Sequence, residues 1–335
     1  MQALQLNAVN QPAAVREVPT PTPGPGEILV RLHAAALNHR DVWIQKGQYA
    51  GIRLPCTLGS DGAGEVAAHG ENVPADAPAV GARVLLYPGL RWGDNPRAQA
   101  RDFVVLGMPD PGTFAEYIVL PAQYVFPLPA HLSFEQGAAL PLAGLTAYRA
   151  AFTRAQVQPG ERVLVTGVGG GVALTAAQFC AARGAEVWVT SGADAKIARA
   201  QALGLRGGVN YHAEGWAKTL VQQAGGPFDA IIDSAAGAAF NALLDLAAPG
   251  GRIVFYGGTL GNIPDVPPAK VFWKQLSLLG STMGSEQDFA DMLALVREKK
   301  LVPVVDEIFP LADGEAALRR LESGAQFGKV VLRMG

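Results

Sequence analysis

From Gln2 to about Phe126, apolar residues come in short runs cut by glycine and proline. Pro19, Pro21, Pro23 and Pro25 form a stiff lead into Glu27-Ile28-Leu29-Val30-Arg31-Leu32, which reads as a strand. Gly62 to Val66, Arg83 to Leu86 and Phe114 to Val119 predict further strands, and a small β-barrel is their natural product. From Ser133 onward the pattern changes. Helical stretches alternate with strands at Val163, Val187, Val209, Ile231 and Ile253, as a parallel sheet requires. After about Val271 come a strand (Leu276 to Leu279), an amphipathic helix (Phe289 to Lys299), a strand (Val304 to Phe309), a helix (Glu315 to Leu321) and a last strand (Lys329 to Leu332). This tail is assigned largely to the barrel. The expected organisation is an α/β chain with a barrel domain of residues 1–126 and 273–335 and a parallel-sheet domain of residues 127–272.

The stretch from Glu161 to Ala182 organises the second half. An apolar strand, Val163-Leu164-Val165, passes through Thr166 into Gly167-Val168-Gly169-Gly170-Gly171, then Val172 and a helix rich in alanine. Strand, glycine turn and helix suit a dinucleotide: bare N–H groups approach a pyrophosphate, and the positive helix N-terminus faces it. The best register is Gly167-x-x-Gly170-x-x-Ala173, a relative of the G-x-G-x-x-G/A pattern. The segment from Val163 to Cys180 carries no charge, which raises a membrane span, but four glycines in five positions make a poor helix there.

The next strand, Glu186-Val187-Trp188-Val189-Thr190, decides the cofactor. An NAD site usually places an Asp or Glu about 20 residues beyond the glycines to bind the ribose 2′-OH. Here the strand ends Thr190-Ser191-Gly192 with no carboxylate, while Ser191 offers a neutral donor and Lys196 a cation. This favours NADPH. Lys196 also fits a solvated helix residue, and Asp194 reads as the helix N-cap.

Composition narrows the classes. A chain of 335 residues that is 49% hydrophobic can build two cores. A net charge of −2 without a basic run argues against nucleic acid. Two distant cysteines, Cys56 and Cys180, supply neither a disulfide framework nor a cysteine zinc cluster. The N-terminus lacks the features of a signal peptide, so a cytoplasmic enzyme is expected.

Several segments in order then resemble the medium-chain dehydrogenase/reductase superfamily, in its zinc-free quinone oxidoreductase and enone reductase branch. They are Pro23-Gly24-Pro25-Gly26-Glu27, Asn38-His39-Arg40-Asp41, Gly59-Ser60-Asp61-Gly62-Ala63-Gly64, Pro141 to Tyr148, the glycine turn, Asn210-Tyr211 and Phe327-Gly328-Lys329. The resemblance implies a GroES-like barrel followed by a Rossmann domain, an active site in the cleft between them, and a homodimer or homotetramer formed partly through the last Rossmann strand, near Leu276 to Thr282. It further implies cofactor contacts from Thr146, Gly167, Gly169, Gly170, Gly171, Val172, Ser191, Lys196, Tyr211, Phe255, Gly257, Met283, Phe327 and Lys329. Phe255 and Met283 fit core packing equally well.

The chain departs from the zinc-dependent members at the metal. Those members place a Cys where this chain has Asn38, a His-Glu pair where it has Ser60-Asp61, and a Cys or acidic ligand where it has Leu142. A catalytic zinc needs three Cys, His or carboxylate ligands, so no metal is expected. The cysteine lobe of a second zinc is replaced by the insertion from Leu90 to Gly107. Without a Lewis acid, quinones and α,β-unsaturated carbonyls are the easier substrates. Charge developing on the carbonyl oxygen would then meet donors, for which Asn38 and Tyr49 are the candidates, with Asp41 as a third catalytic candidate and Tyr49 or water delivering the proton. Asn38 also fits a loop-holding role, Asp41 a backbone-fixing one, and His39 a structural one. Two rivals stay open: an alcohol dehydrogenase with a metal among His39, Asp41 and Asp61, and an NADPH-binding structural protein without turnover.

Overall fold

The computed structural model describes all 335 residues. Cα proximity divides them into two compact units, Met1–Leu142 with Gly284–Gly335, and Ala143–Met283. No helix is long and apolar enough to cross a membrane.

The strands of the first unit run β1 (Gln2–Leu6), β2 (Ala14–Glu17) and β3 (Glu27–Ala36); helix α1 (His39–Gln45) follows, then β4 (Cys56–Thr57), β5 (Asp61–His69) and β6 (Arg83–Leu86). Next come β7 (Gly89–Leu90), β8 (Val104–Val105), β9 (Tyr117–Pro121), β10 (Val125–Pro127) and helix α2 (Phe134–Ala138), and then α3 (Pro141–Tyr148), which passes into the second unit after Leu142. β3 is the spine of this unit. Its inward positions Ile28, Val30, Leu32 and Ala34 are buried, and it pairs antiparallel with both β5 and β9.

The second unit holds a six-stranded parallel sheet. Its elements are β11 (Arg162–Val165), α4 (Gly171–Ala182), β12 (Glu186–Ser191), α5 (Asp194–Ala202), β13 (Gly207–Asn210), α6 (Trp216–Ala224), β14 (Phe228–Asp233), α7 (Phe240–Leu246), β15 (Ala247–Phe255), α8 (Pro268–Lys274) and β16 (Ser277–Gly280). The spatial order β13-β12-β11-β14-β15-β16 is that of a dinucleotide-binding sheet, reversing between β11 and β14. Val163, Leu164 and Val165 of β11 have no exposed surface, as a strand covered on both faces requires.

The chain then returns to the first unit through α9 (Glu286–Lys299), β17 (Val305–Pro310), α10 (Gly314–Glu322) and β18 (Lys329–Arg333). β18 pairs antiparallel with β3 and parallel with β17, so the tail completes the main barrel sheet. α9 begins one turn before the apolar pattern predicts, because the Ser285 hydroxyl accepts from Asp288 N and the Asp288 carboxylate accepts from Ser285 N.

Both unit boundaries differ from the sequence expectation. Residues 127–142 stay with the barrel because α2 packs there: the Phe134 ring stacks on His33 at 4.4 Å, and Arg333 donates to the Glu135 carboxylate at 3.0 Å. Residues 273–283 stay with the parallel sheet because β16 pairs in register with β15, Arg252 opposite Ser277 through Phe255 opposite Gly280.

Where β3 and β5 cross, Gly64 leaves no room for a side chain: a Cβ would lie 1.9 Å from the Arg31 carbonyl oxygen. Gly64→Ala is therefore expected to lose about 3 kcal/mol or more, or to fail to fold, whereas Gly280→Ala, with open space around its Cβ, stays within about 1 kcal/mol of the parent. Urea unfolding midpoints of the two variants check this.

Candidate functional site

The glycine turn adopts the register read from the sequence. Gly167 has φ +68° and Gly169 φ +137°, conformations that L side chains rarely reach. Gly170 is the N-cap of α4, with no side chain bonded to the first turn, so the N–H groups of Gly171 and Val172 are left for an anion. Ala173, Ala176 and Ala177 are buried and let the helix approach the sheet.

Lys196 lies directly over this turn: a Cβ built on Gly169 would sit 2.8 Å from its Cδ and 3.2 Å from its Nζ. The Tyr211 hydroxyl and His212 Nε2 flank Gly192 in the same way, at 2.7 and 3.0 Å from a Cβ there. The end of β12 and the end of β13 thus gather Ser191, Lys196, Tyr211 and His212 at the carboxyl edge of the sheet. His212 was not foreseen; its position beside Tyr211, two residues past the end of β13, is the only signal for it. Ser191 is buried, and its hydroxyl accepts from Ala193 N at 3.3 Å. Asp194 is the first residue of α5 and exposed, and Ala193 is the N-cap, contrary to expectation. An Ala cap arises because Ser191 already closes the turn from two residues upstream.

A second residue missed from sequence is Asp233, at the end of β14. Its Oδ1 accepts from the Thr166 hydroxyl at 2.6 Å and its Oδ2 from the N–H groups of Ala235 and Ala236 at 3.2 and 2.7 Å. An Asp at the end of an apolar strand, followed by Ser-Ala-Ala-Gly, is the pattern of such a side-chain turn. It fixes the loop whose Ser234 Oγ lies 3.1 Å from a Cβ on Gly167 and whose Ser234 carbonyl lies 2.6 Å from one on Gly257. Thr146, in α3, meets Met283 with its hydroxyl 3.9 Å from the sulfur, and Met283 is buried at φ +41°. Phe255 packs edge-on to Phe240 at 5.7 Å, alongside the core of its unit.

The catalytic candidates stand in the first unit. Asn38 precedes α1, Asp61 opens β5 and Lys329 opens β18, and the three side chains form one buried cluster. Lys329 Nζ donates to Asn38 Oδ1 at 2.6 Å and to Asp61 Oδ2 at 2.9 Å, Asn38 Nδ2 donates to Asp61 Oδ2 at 2.9 Å, and Leu142 N donates to Asp61 Oδ1 at 2.7 Å. Phe327, two residues before Lys329, is buried in the same unit.

Asp41 has no exposed surface; its Oδ2 accepts from Asn38 N at 2.8 Å and its Oδ1 has no partner. Burial pushes its pKa up to about 6, against the opposing pull of Arg40, the Asn38 N–H and Lys329. His39, exposed at the surface of a densely packed floor, has its pKa lowered by that crowding and then by the Lys329 charge. Tyr49 is held by Arg40, whose guanidinium carbon lies 5.0 Å over the ring and whose Nε donates to the hydroxyl at 3.4 Å. The same guanidinium donates to Ser60 Oγ at 2.7 Å and to the carbonyls of Leu106, Val105 and Met108. Arg40 therefore anchors the insertion that replaces the cysteine lobe.

Comparison with known proteins follows this layout. Residues 24–130 match the family model of the alcohol dehydrogenase GroES-like domain, and residues 171–298 that of the zinc-binding dehydrogenase. The chain is 36% identical to a zinc-type alcohol dehydrogenase-like protein, YogA, of Leptosphaeria maculans, covering 99% of this chain and 94% of the relative. It belongs to the medium-chain dehydrogenase/reductase superfamily. Within this superfamily it is also 29% identical to the quinone oxidoreductase of Mus musculus, over 99% of this chain and 97% of that one. A crystal structure of an NAD-dependent alcohol dehydrogenase superimposes with a TM-score of 0.94 at 40% identity, covering the whole of both chains. The superfamily makes the chain an oxidoreductase that uses a nicotinamide dinucleotide.

The residues present do not fit the catalytic zinc of the zinc-dependent superfamily members. The four positions hold an amide, a hydroxyl, a carboxylate and an aliphatic chain, and both oxygens of the carboxylate are taken by protein donors. The atypical shell is not assembled either: nowhere do three His, Cys, Asp or Glu residues gather as metal ligands.

Asp41 sets a pH signature. The folded chain binds its proton more tightly than the unfolded one, so its ionisation costs stability as pH rises from about 4 to about 6 and the loss then stays constant. Asp41→Asn keeps an acceptor for Asn38 N and removes the titration. Relative to the parent, the variant is expected to gain about 3 kcal/mol between pH 4 and pH 8, read from urea midpoints at each pH.

Proposed function

We propose that this chain is an NADPH-dependent, metal-independent reductase of quinones or α,β-unsaturated carbonyls. The observation that carries the reading is the sealed Asp61 carboxylate, which leaves no ligand set for a Lewis acid. Oxidising an alcohol needs a group that removes its proton and holds the alkoxide. Asp41 and Asp61 have no exposed surface with which to offer that. Quinones and enones need only a hydride and a place for charge to settle. The quinone oxidoreductase relatives support the acceptor class.

Bound NADPH supplies the hydride from C4 of its nicotinamide. What the chain contributes is binding and charge. Gly171 and Val172 N–H groups receive the pyrophosphate, and Lys196, Tyr211 and Ser191 receive the 2′-phosphate, with Gly167, Gly169 and Gly170 clearing the approach. Thr146, Met283, Phe255 and Gly257 border the nicotinamide ribose. Asn38 and Tyr49 donate to the carbonyl oxygen as hydride reaches the β carbon, and Tyr49 or water returns a proton to complete the reduced product. Asp41, without accessible surface, acts on Asn38 rather than on substrate. A homodimer or homotetramer through β16 fits its place at the sheet edge, beside the exposed Phe272 and Trp273.

Two measurements check this reading. Lys196→Ala is expected to weaken NADPH about 10- to 100-fold while changing NADH less than about threefold, and equal losses would overturn the cofactor assignment. With NADPH, turnover is expected across quinones and enones; activity confined to simple aldehydes and alcohols would overturn the acceptor class.

A further inference from the structure

Two donor hydrogens in the buried cluster are bonded to no other protein group. A primary amide carries two and an ammonium three. Asn38 Nδ2 donates only to Asp61 Oδ2, and Lys329 Nζ only to Asn38 Oδ1 and Asp61 Oδ2. One hydrogen remains on each nitrogen, on side chains that are 8% and 5% exposed. A buried donor left unpaired destabilises the fold unless a ligand supplies its acceptor. The arrangement also fixes which end of the amide donates, because the ammonium at 2.6 Å holds Oδ1 and turns Nδ2 away from it. A cation on the amide oxygen draws electrons from the nitrogen and strengthens its remaining N–H as a donor. Asp61, with every strong donor around it already bound, balances the charge but cannot serve as a base.

We infer that Asn38 and Lys329 together form an oxyanion seat, whose ligand is an oxygen gaining negative charge next to an unsaturated carbon, as in an enolate or a hydroquinone anion. This rests on the reductase reading and names the group that carries its electrostatics. Hydride adds to the β carbon, the displaced π pair moves onto the carbonyl oxygen, and the two free N–H groups receive that oxygen. A proton from Tyr49 or water then gives the neutral product, and only NADPH and one proton are consumed. The closing segment Phe327-Gly328-Lys329 resembles a nicotinamide contact, but its ammonium is committed to Asn38 and Asp61. Its part is to stabilise the product oxygen, not to hold the cofactor.

The test uses p-nitrophenol as an oxyanion probe on the full chain saturated with NADP⁺, its ionisation read by absorbance, alongside NADPH affinity and enone turnover. The parent is expected to lower the ionisation midpoint of the bound probe by about one pH unit or more, and Lys329→Met to abolish that shift, with Lys329→Arg restoring part of it. In Lys329→Met, kcat for an enone is expected to fall about 100-fold at unchanged NADPH affinity. Should Lys329→Met not fold, Asn38→Ala must lose the same shift. A folded Lys329→Met or Asn38→Ala that keeps the probe shift and kcat overturns the seat, as does a loss of NADPH affinity in step with kcat. If the parent reduces no quinone or enone yet shifts the probe through Lys329, the reaction reading fails and the seat stands. If it reduces enones with a shift indifferent to Lys329, the seat fails and the reaction reading stands.

Discussion

A carboxylate without exposed surface must find its counter-charge and its donors inside the chain, and Asp61 finds them in three elements at once. Asn38 comes from the N-cap of α1, Lys329 from the start of β18, and Leu142 from the first turn of α3, as far as 268 residues away in sequence. Removing one partner of such a buried pair typically costs about 3–5 kcal/mol, because the other charge is left stranded. The cluster therefore holds the strand pair β3 and β18 in register where Ala36 faces Val331. The two oxygens of Asp61 already accept an ammonium, an amide and a backbone N–H, which is the ground for the proposed metal-free chemistry.

The nucleotide side obeys the same electrostatic logic with the sign reversed. There the N–H groups at the start of α4 have no side-chain cap, Lys196 lies over Gly169, and β12 ends at Ser191 without a carboxylate. Asp233 supplies rigidity without adding charge to the surface, because its two oxygens are used up by Thr166, Ala235 and Ala236. A buried, satisfied carboxylate orders the loop beside the glycine turn.

The sequence was most readable where local chemistry dictates geometry. Val163 to Val165 and the glycines after them admit one conformation, and the six strands of the parallel sheet appear where apolar runs place them. The unit boundaries were less readable. The attachment of α2 depends on Phe134 meeting His33 and Glu135 meeting Arg333, pairs separated by 101 and 198 residues, and no local pattern encodes either. Asp61 was visible as a departure from a metal-ligand pattern, but not as the partner of Lys329, since only the folded sheet brings β5 and β18 to opposite sides of β3. Arg40 was hidden for the same reason: its acceptors lie on Leu106 and Val105, in an insertion with no periodicity, and on Met108 just after it.

The proposed chemistry uses fixed hydrogen bonds and one internal cation in place of a bound ion. Elemental analysis of the purified chain, expressed with ample zinc and never exposed to chelator, tests that most directly. The account predicts zinc far below one equivalent per chain together with full reductase activity. One tightly held equivalent, removed only with loss of that activity, would contradict it.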